Sequence, residues 1–136
     1  MQKIILLFIF APLLFAIDGE DVYKKNCKSC HIDMISKAEF RSQLKERQAP
    51  PMIAVATKLK NTIIIQDREN SEEIHRFTVI SFIKEYLKYP SAEYYACSGS
   101  AVNRFDIMPA QDHLSEEELQ AVSEWIYDNY EDEDYN

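Results

Sequence analysis

Beyond Arg104 the chain has no lysine and no arginine, yet eleven of its 23 acidic residues lie there. The stretch before that point is close to charge balance, so the formal net charge of −8 is concentrated at the C-terminal end. Such a charge argues against nucleic acid as a partner. No alternation of strand and helix patterns runs through the sequence. Ile63-Ile64-Ile65 is β-branched, but no second strand offers it pairing, so it reads as a helix end or extended connector. Internal repeats and low-complexity segments are absent. No apolar run reaches the roughly 20 residues that span a bilayer comfortably. The longest, Ile4 to Phe15, follows a single positive charge at Lys3 and ends in Leu14-Phe15-Ala16. That is the layout of a secretory signal peptide, with an uncleaved anchor as the alternative. No cysteine follows the run directly, which argues against a lipid-anchored form. Residues 1–16 are therefore assigned to the signal. Residues 17–130 form one domain, and 131–136 an acidic tail.

Cysteine is scarce, at three residues, and two of them fall in Cys27-Lys28-Ser29-Cys30-His31. This is C-x-x-C-H, the attachment sequence of a covalent c-type haem. Residues three apart on a helical turn share a face. Two thiols so placed can each join one vinyl group of the same porphyrin, and the following imidazole can ligate the iron. Two other readings stand beside it. C-x-x-C as a dithiol redox pair needs a βαβ context, which is lacking. Cys27, Cys30, His31 and Cys97 could instead form a Cys₃His zinc site, or the thiols a structural disulfide. If haem takes Cys27 and Cys30, Cys97 is left as a buried free thiol or as an intermolecular or regulatory one.

Along the chain, Asp18 is placed to cap a helix whose face carries Val22, Tyr23, Asn26, Cys27 and Cys30. A loop and a modest amphipathic helix follow, with Ile35, Ala38, Phe40 and Leu44 as its apolar residues. Pro50-Pro51 breaks the chain, and Pro51 is expected at the first position of a helix over Met52 to Leu59. Asn70 or Ser71 caps the next helix, whose apolar residues are Ile74, Phe77, Ile80, Phe82, Ile83, Tyr86 and Leu87, and Pro90 ends it. Residues 91–112 read as a long loop, a length usually tied to function. Ser115 and Glu118 form a capping box and Leu114 and Leu119 a staple. The last helix has an inner face of Leu119, Val122, Trp125, Ile126 and Asn129. It runs to about Tyr130, where the acidic tail opposes its negative end and favours fraying.

Gly19, Tyr23 and Cys27, at four-residue intervals before the motif, resemble the N-terminal helix of class I monohaem cytochromes c. In that family a small residue and an aromatic at these places cross the C-terminal helix. The order of motif, downstream Met108-Pro109 and aromatic-bearing last helix is similar to the family's plan, and it differs from cytochromes c′, whose motif lies near the C-terminus. Ala49-Pro50-Pro51-Met52 and Arg104-Phe105-Asp106-Ile107-Met108-Pro109 further resemble small periplasmic monohaem cytochromes of Campylobacter-type bacteria. Two positions depart from the family. Ile32 stands where many members have glycine, and the first proline after the motif is Pro50, later than usual. The carbonyl that accepts the His31 N–H is therefore expected from Ala49 or Pro50.

The resemblance implies an all-α, cytochrome c-like fold around one covalent haem c, with Cys27 and Cys30 as attachment points and His31 and Met108 as iron ligands. It implies a periplasmic one-electron carrier, not an enzyme, serving unidentified periplasmic redox partners, with no stable membrane insertion after signal cleavage. A haem-bearing subunit of a larger electron-transfer enzyme and a haem-based gas sensor are the alternatives. The candidates for the sixth ligand are Met34, Met52, Met108, His75 and His113. Met34 is too near His31 to cross the ring plane, and His75 reads as a solvated helix residue. Met52 follows two prolines and is expected to pack at a helix start. His113, five residues past Met108, is the competitor. Pro109 biases Met108 toward an extended backbone and stiffens its approach, while a core methionine is the plainer reading. Tyr94, Tyr95 and Arg104 are candidates for haem propionates or for ordinary loop packing. Lys24, Lys25 and Lys28 would form a basic edge for docking.

Overall fold

The computed structural model describes residues 16–65, 71–92 and 103–130. The assigned signal up to residue 15, Cys97, Tyr94, Tyr95 and the acidic tail lie outside them. The described residues are all-α. The helices are α1 Gly19–Asn26, α2 Lys37–Ser42, α3 Met52–Thr62, α4 Ser71–Lys88 and α5 Glu116–Asn129, with a 3-10 turn at Leu44–Glu46. No strand occurs among the described residues, and Ile64-Ile65 is irregular backbone after α3, as expected. No helix among them is long and apolar enough to cross a membrane.

Local chemistry accounts for the helix starts. The Asp18 side chain accepts from Glu20 N–H at α1, and Ser36 does the same from Glu39 at α2. Ser115 and Glu118 complete the reciprocal capping box of α5, which leaves two fewer backbone donors unpaired. Pro51 sits one residue earlier than expected, at the N-cap of α3 with an extended backbone, and α3 continues three residues past Leu59 to Thr62. Its φ of −63° suits either place. At the N-cap its carbonyl accepts from Val55 N–H and so opens the helix.

Two crossings organise the molecule, α1 with α5 and α4 with α5. Gly19 makes the first possible. A Cβ there would stand 2.2 Å from the Ala121 carbonyl oxygen and 2.6 Å from Trp125 Cβ. Tyr23, fully buried, lies against Trp125 with ring centroids 4.7 Å apart, while Tyr127 faces His75. On α5 the buried residues are Leu119, Val122, Ser123 and Ile126. Asn129 is exposed and donates back to the Trp125 carbonyl. Tyr130, just past the helix, is the buried residue at that end.

The buried face of α4 is Val79, Ile80, Ile83 and Leu87, while Ile74 and Phe77 of its apolar residues are exposed. His75 is part-buried and donates from Nε2 to the Lys60 carbonyl at 2.9 Å, and its Nδ1 is 3.1 Å from Tyr127 Oη. Arg76 pairs with Asp128 through two nitrogens, at 2.8 and 3.2 Å. His75 takes an inward position one turn before Val79, Arg76 pairs with Asp128 at the surface, and Ile74 and Phe77 lie outside. The solvated reading of His75 is therefore corrected. Its ring joins α3, α4 and α5.

Candidate haem site

The pentapeptide continues the coil of α1. Cys27 N–H donates to the Tyr23 carbonyl, and Cys30 and His31 N–H both donate to the Cys27 carbonyl, at 3.1 and 2.9 Å. Two successive tight turns place Cys27 and Cys30 on one side, as the spacing requires. Both thiols are free. Cys27 is buried, and burial, with Cys30 adding to it, pushes its thiol up to about 11. Cys30 is exposed, with Sγ 3.8 Å from Gln48 Oε1.

His31 donates from Nδ1 to the Pro50 carbonyl at 2.8 Å. The sequence offered Ala49 or Pro50 as acceptor, and Pro50 is the one used. Burial lowers the His31 pKa, and the Pro50 carbonyl offsets part of that effect. A neutral imidazole with Nδ1–H committed leaves Nε2 as the lone-pair nitrogen, the arrangement of a metal-binding histidine. The wall continues through Met52, whose N–H donates to the Ile32 carbonyl at 2.8 Å. Pro50-Pro51 thus carries the chain from the acceptor of His31 into α3.

Cys27, Cys30, His31 and Met108 line one cavity of about 630 Å³, with Phe82, Ile83 and Leu87 of α4 among its apolar walls. Cofactor sites span roughly 300–1,000 Å³. Met108, half-buried, packs against the same core as Val22 and Ile83. Its loop is held by Gln111, a buried residue that the sequence did not mark. Gln111 N–H donates to the Leu87 carbonyl at 2.7 Å, and its side chain donates to the Pro109 carbonyl at 3.0 Å. A glutamine in a polar loop carries no periodic signal, so only the fold exposes this role.

The other ligand candidates are disposed of by position. Met34 is 63% exposed and lines a separate surface hollow with Trp125 and Tyr130. Both His75 ring nitrogens are engaged. His113 is exposed, with Nε2 3.1 Å from Asn26 Oδ1. Met52 is buried and does line the cavity, on the wall that holds His31.

The residues present fit a haem by the chemistry of the donor set, and one further observation agrees. Arg47 lines the cavity, and its Nε is buried without a hydrogen-bond partner. Another nitrogen of the same guanidinium donates to Gln43 Oε1, and the remaining buried N–H is costly unless a side-chain shift brings it to an anion, such as one of the two carboxylates of a haem. Arg104 lines the same cavity, yet its guanidinium lies over Phe105 and donates to the Leu44 and Arg47 carbonyls. It thereby holds the Arg47 segment against the Met108 loop. Among the described residues no group of three His, Cys, Asp or Glu side chains is arranged for a metal ion. Cys97, the third thiol of the zinc reading, lies outside them.

Fold and site define an all-α protein whose C-x-x-C-H turn and a distant methionine share one apolar cavity. The chain is 32% identical, over 147 aligned positions covering 97% of it and 90% of the relative, to an uncharacterised protein of Aquifex aeolicus (strain VF5), and it belongs to the same family. No protein-family model and no solved structure matches it.

Proposed function

We propose that the chain has a cytochrome c-like fold, carries one covalent haem c and moves single electrons between redox partners in the periplasm. The reading rests on one observation above the rest. Met108, far downstream of the motif, comes to the same cavity as Cys27, Cys30 and His31. A haem held there supplies reversible one-electron chemistry at its iron. Cys27 and Cys30 would anchor the ring through thioethers, His31 would offer Nε2 and Met108 its sulfur. An iron held by both His31 and Met108 would have no place open for a substrate, which favours a carrier over an enzyme and over a gas sensor.

The protein's own groups do the rest. Pro50 orients the imidazole. Val55, Leu59, Phe82, Ile83 and Leu87 would give the ring an apolar surface to pack on. Arg47 offers an unpaired N–H to a carboxylate. A thioether ligand in an apolar site raises the potential relative to a second imidazole.

The test is the exported chain, made in a host that attaches haem. A denaturing gel should keep its haem stain, and the oxidised protein should show the weak far-red sulfur-to-iron band. A chain that reaches the periplasm folded and unstained contradicts the proposal. Stain without the far-red band leaves the haem and removes Met108 as ligand.

A further inference from the structure

The residues just after the motif are held by side chains far apart in sequence. Tyr23 Oη donates to the His31 carbonyl at 2.7 Å. The N–H groups of Met52 and Ile53 donate to the carbonyls of Ile32 and Asp33, at 2.8 and 3.3 Å. The Asp33 carboxylate accepts from Tyr130 Oη at 2.8 Å and pairs with Lys28 at 2.6 Å. Tyr23 and Tyr130 are buried, at 0% and 2% exposure, so the phenols are fixed by packing on Trp125. Lys28 stands between the two motif cysteines. One carboxylate two residues from His31 therefore ties together the motif turn, the start of the following loop and the end of α5.

We propose that Asp33 is a positioning residue that also sets the charge near His31: held by Lys28 and Tyr130, its carboxylate fixes the segment that carries the imidazole and places one partly compensated negative charge two residues along the chain from His31, in the hollow beside Tyr23 and Tyr130 and not in the cavity itself. The proposal rests on the haem reading above. A negative charge close to an iron centre favours the more highly charged ferric state and lowers the midpoint potential. The Tyr130 O–H dipole and the Lys28 ammonium each offset that charge.

The two partners of one hydrogen bond should then give opposite results. Asp33→Asn keeps the shape and an acceptor for Tyr130 but removes the charge, so the midpoint potential should rise. Tyr130→Phe keeps the ring and removes the donor, leaving the carboxylate less compensated, so the potential should fall. In the double variant the Tyr130→Phe shift should disappear, the non-additivity expected of groups in direct contact. A clamp that acts only by holding structure would move both single variants the same way.

The experiment is a spectroelectrochemical titration of the full chain and the three variants, after each has been run on a haem-stained denaturing gel. If the parent chain takes no stain, the function proposed above fails. If it stains and the two single variants shift in the same direction, or neither shifts, the role of Asp33 is overturned and the haem reading stands. Should Asp33→Asn fail to mature, Asp33→Glu, which keeps the charge, must restore staining and a parent-like potential. Failure of that rescue also overturns the proposal.

Discussion

Met108 and Met52 are the two methionines on the cavity wall, and their surroundings separate them. Met52 is 5% exposed, and its N–H is spent on the Ile32 carbonyl, one residue from His31. Its neighbour Pro50 takes the His31 N–H. Met52 thus belongs to the side of the cavity that supports the imidazole. Met108 comes from a different segment, between Phe105 and the Gln111 anchor on α4. Pro109 restricts the Met108 backbone from the C-terminal side, and Gln111 fixes the Pro109 carbonyl. A methionine held in this way would lose little entropy on binding the iron proposed above. Met108→Ala should abolish the far-red band, lower the potential and open the iron to carbon monoxide or cyanide. Met52→Leu conserves volume, costs under about 1.5 kcal/mol, and should leave the spectrum unchanged. An unchanged Met108→Ala spectrum with loss in a His113 variant would instead make the ligation bis-histidine.

At the scale of helices, the α1–α5 crossing is the most sharply determined feature. It rests on a missing side chain at Gly19, with a backbone carbonyl where a Cβ would go. A backbone atom cannot swing aside as a side chain can, so Gly19→Ala must push the helices apart or bend α1. Overpacking costs on the order of 1–3 kcal/mol; the melting temperature should fall, and a parent-like melt would place the close approach elsewhere. This crossing was legible in the sequence only through the resemblance that Gly19, Tyr23 and Cys27 carry, since their spacing alone names no partner helix. The face of α4 was not legible. Its apolar residues are so numerous that hydrophobicity alone allows several rotations. The rotation observed agrees with the part-buried His75, whose ring meets α3 and α5. The cavity follows the same rule. The motif stands out in the sequence because its chemistry is local, while Met108 was singled out through the resemblance and its Met-Pro pair, and the structure brings both to one cavity. Gln111, Asp33 and Tyr130 could not be found there, because each acts through a contact with a distant segment.

Over the whole molecule, the charge separation seen along the sequence is softened by folding. Lys24 pairs with Glu20 and Lys28 with Asp33, while Glu116 meets Lys84 and Lys88 and Asp128 meets Arg76. Exposed pairs of this kind add little stability each, so cohesion must come from apolar burial. That burial is arranged around the cavity. Leu59, Ile83, Leu87 and Ile126 are core residues and cavity walls at once. The cavity opens to solvent, and a group that filled it and was bonded to the chain would complete the core as well as serve as a cofactor. Replacing Cys27 and Cys30 together by alanine should remove the haem stain from a denaturing gel. The product should also have reduced helical circular dichroism and no cooperative melt. Two alanines in place of two thiols cannot account for such a collapse, since Cys30 is exposed and only Cys27 would leave a gap in the core. A double variant that still melts cooperatively near the parent temperature would show that α1, α4 and α5 pack well enough alone, and the cavity would then be a binding site on a finished fold.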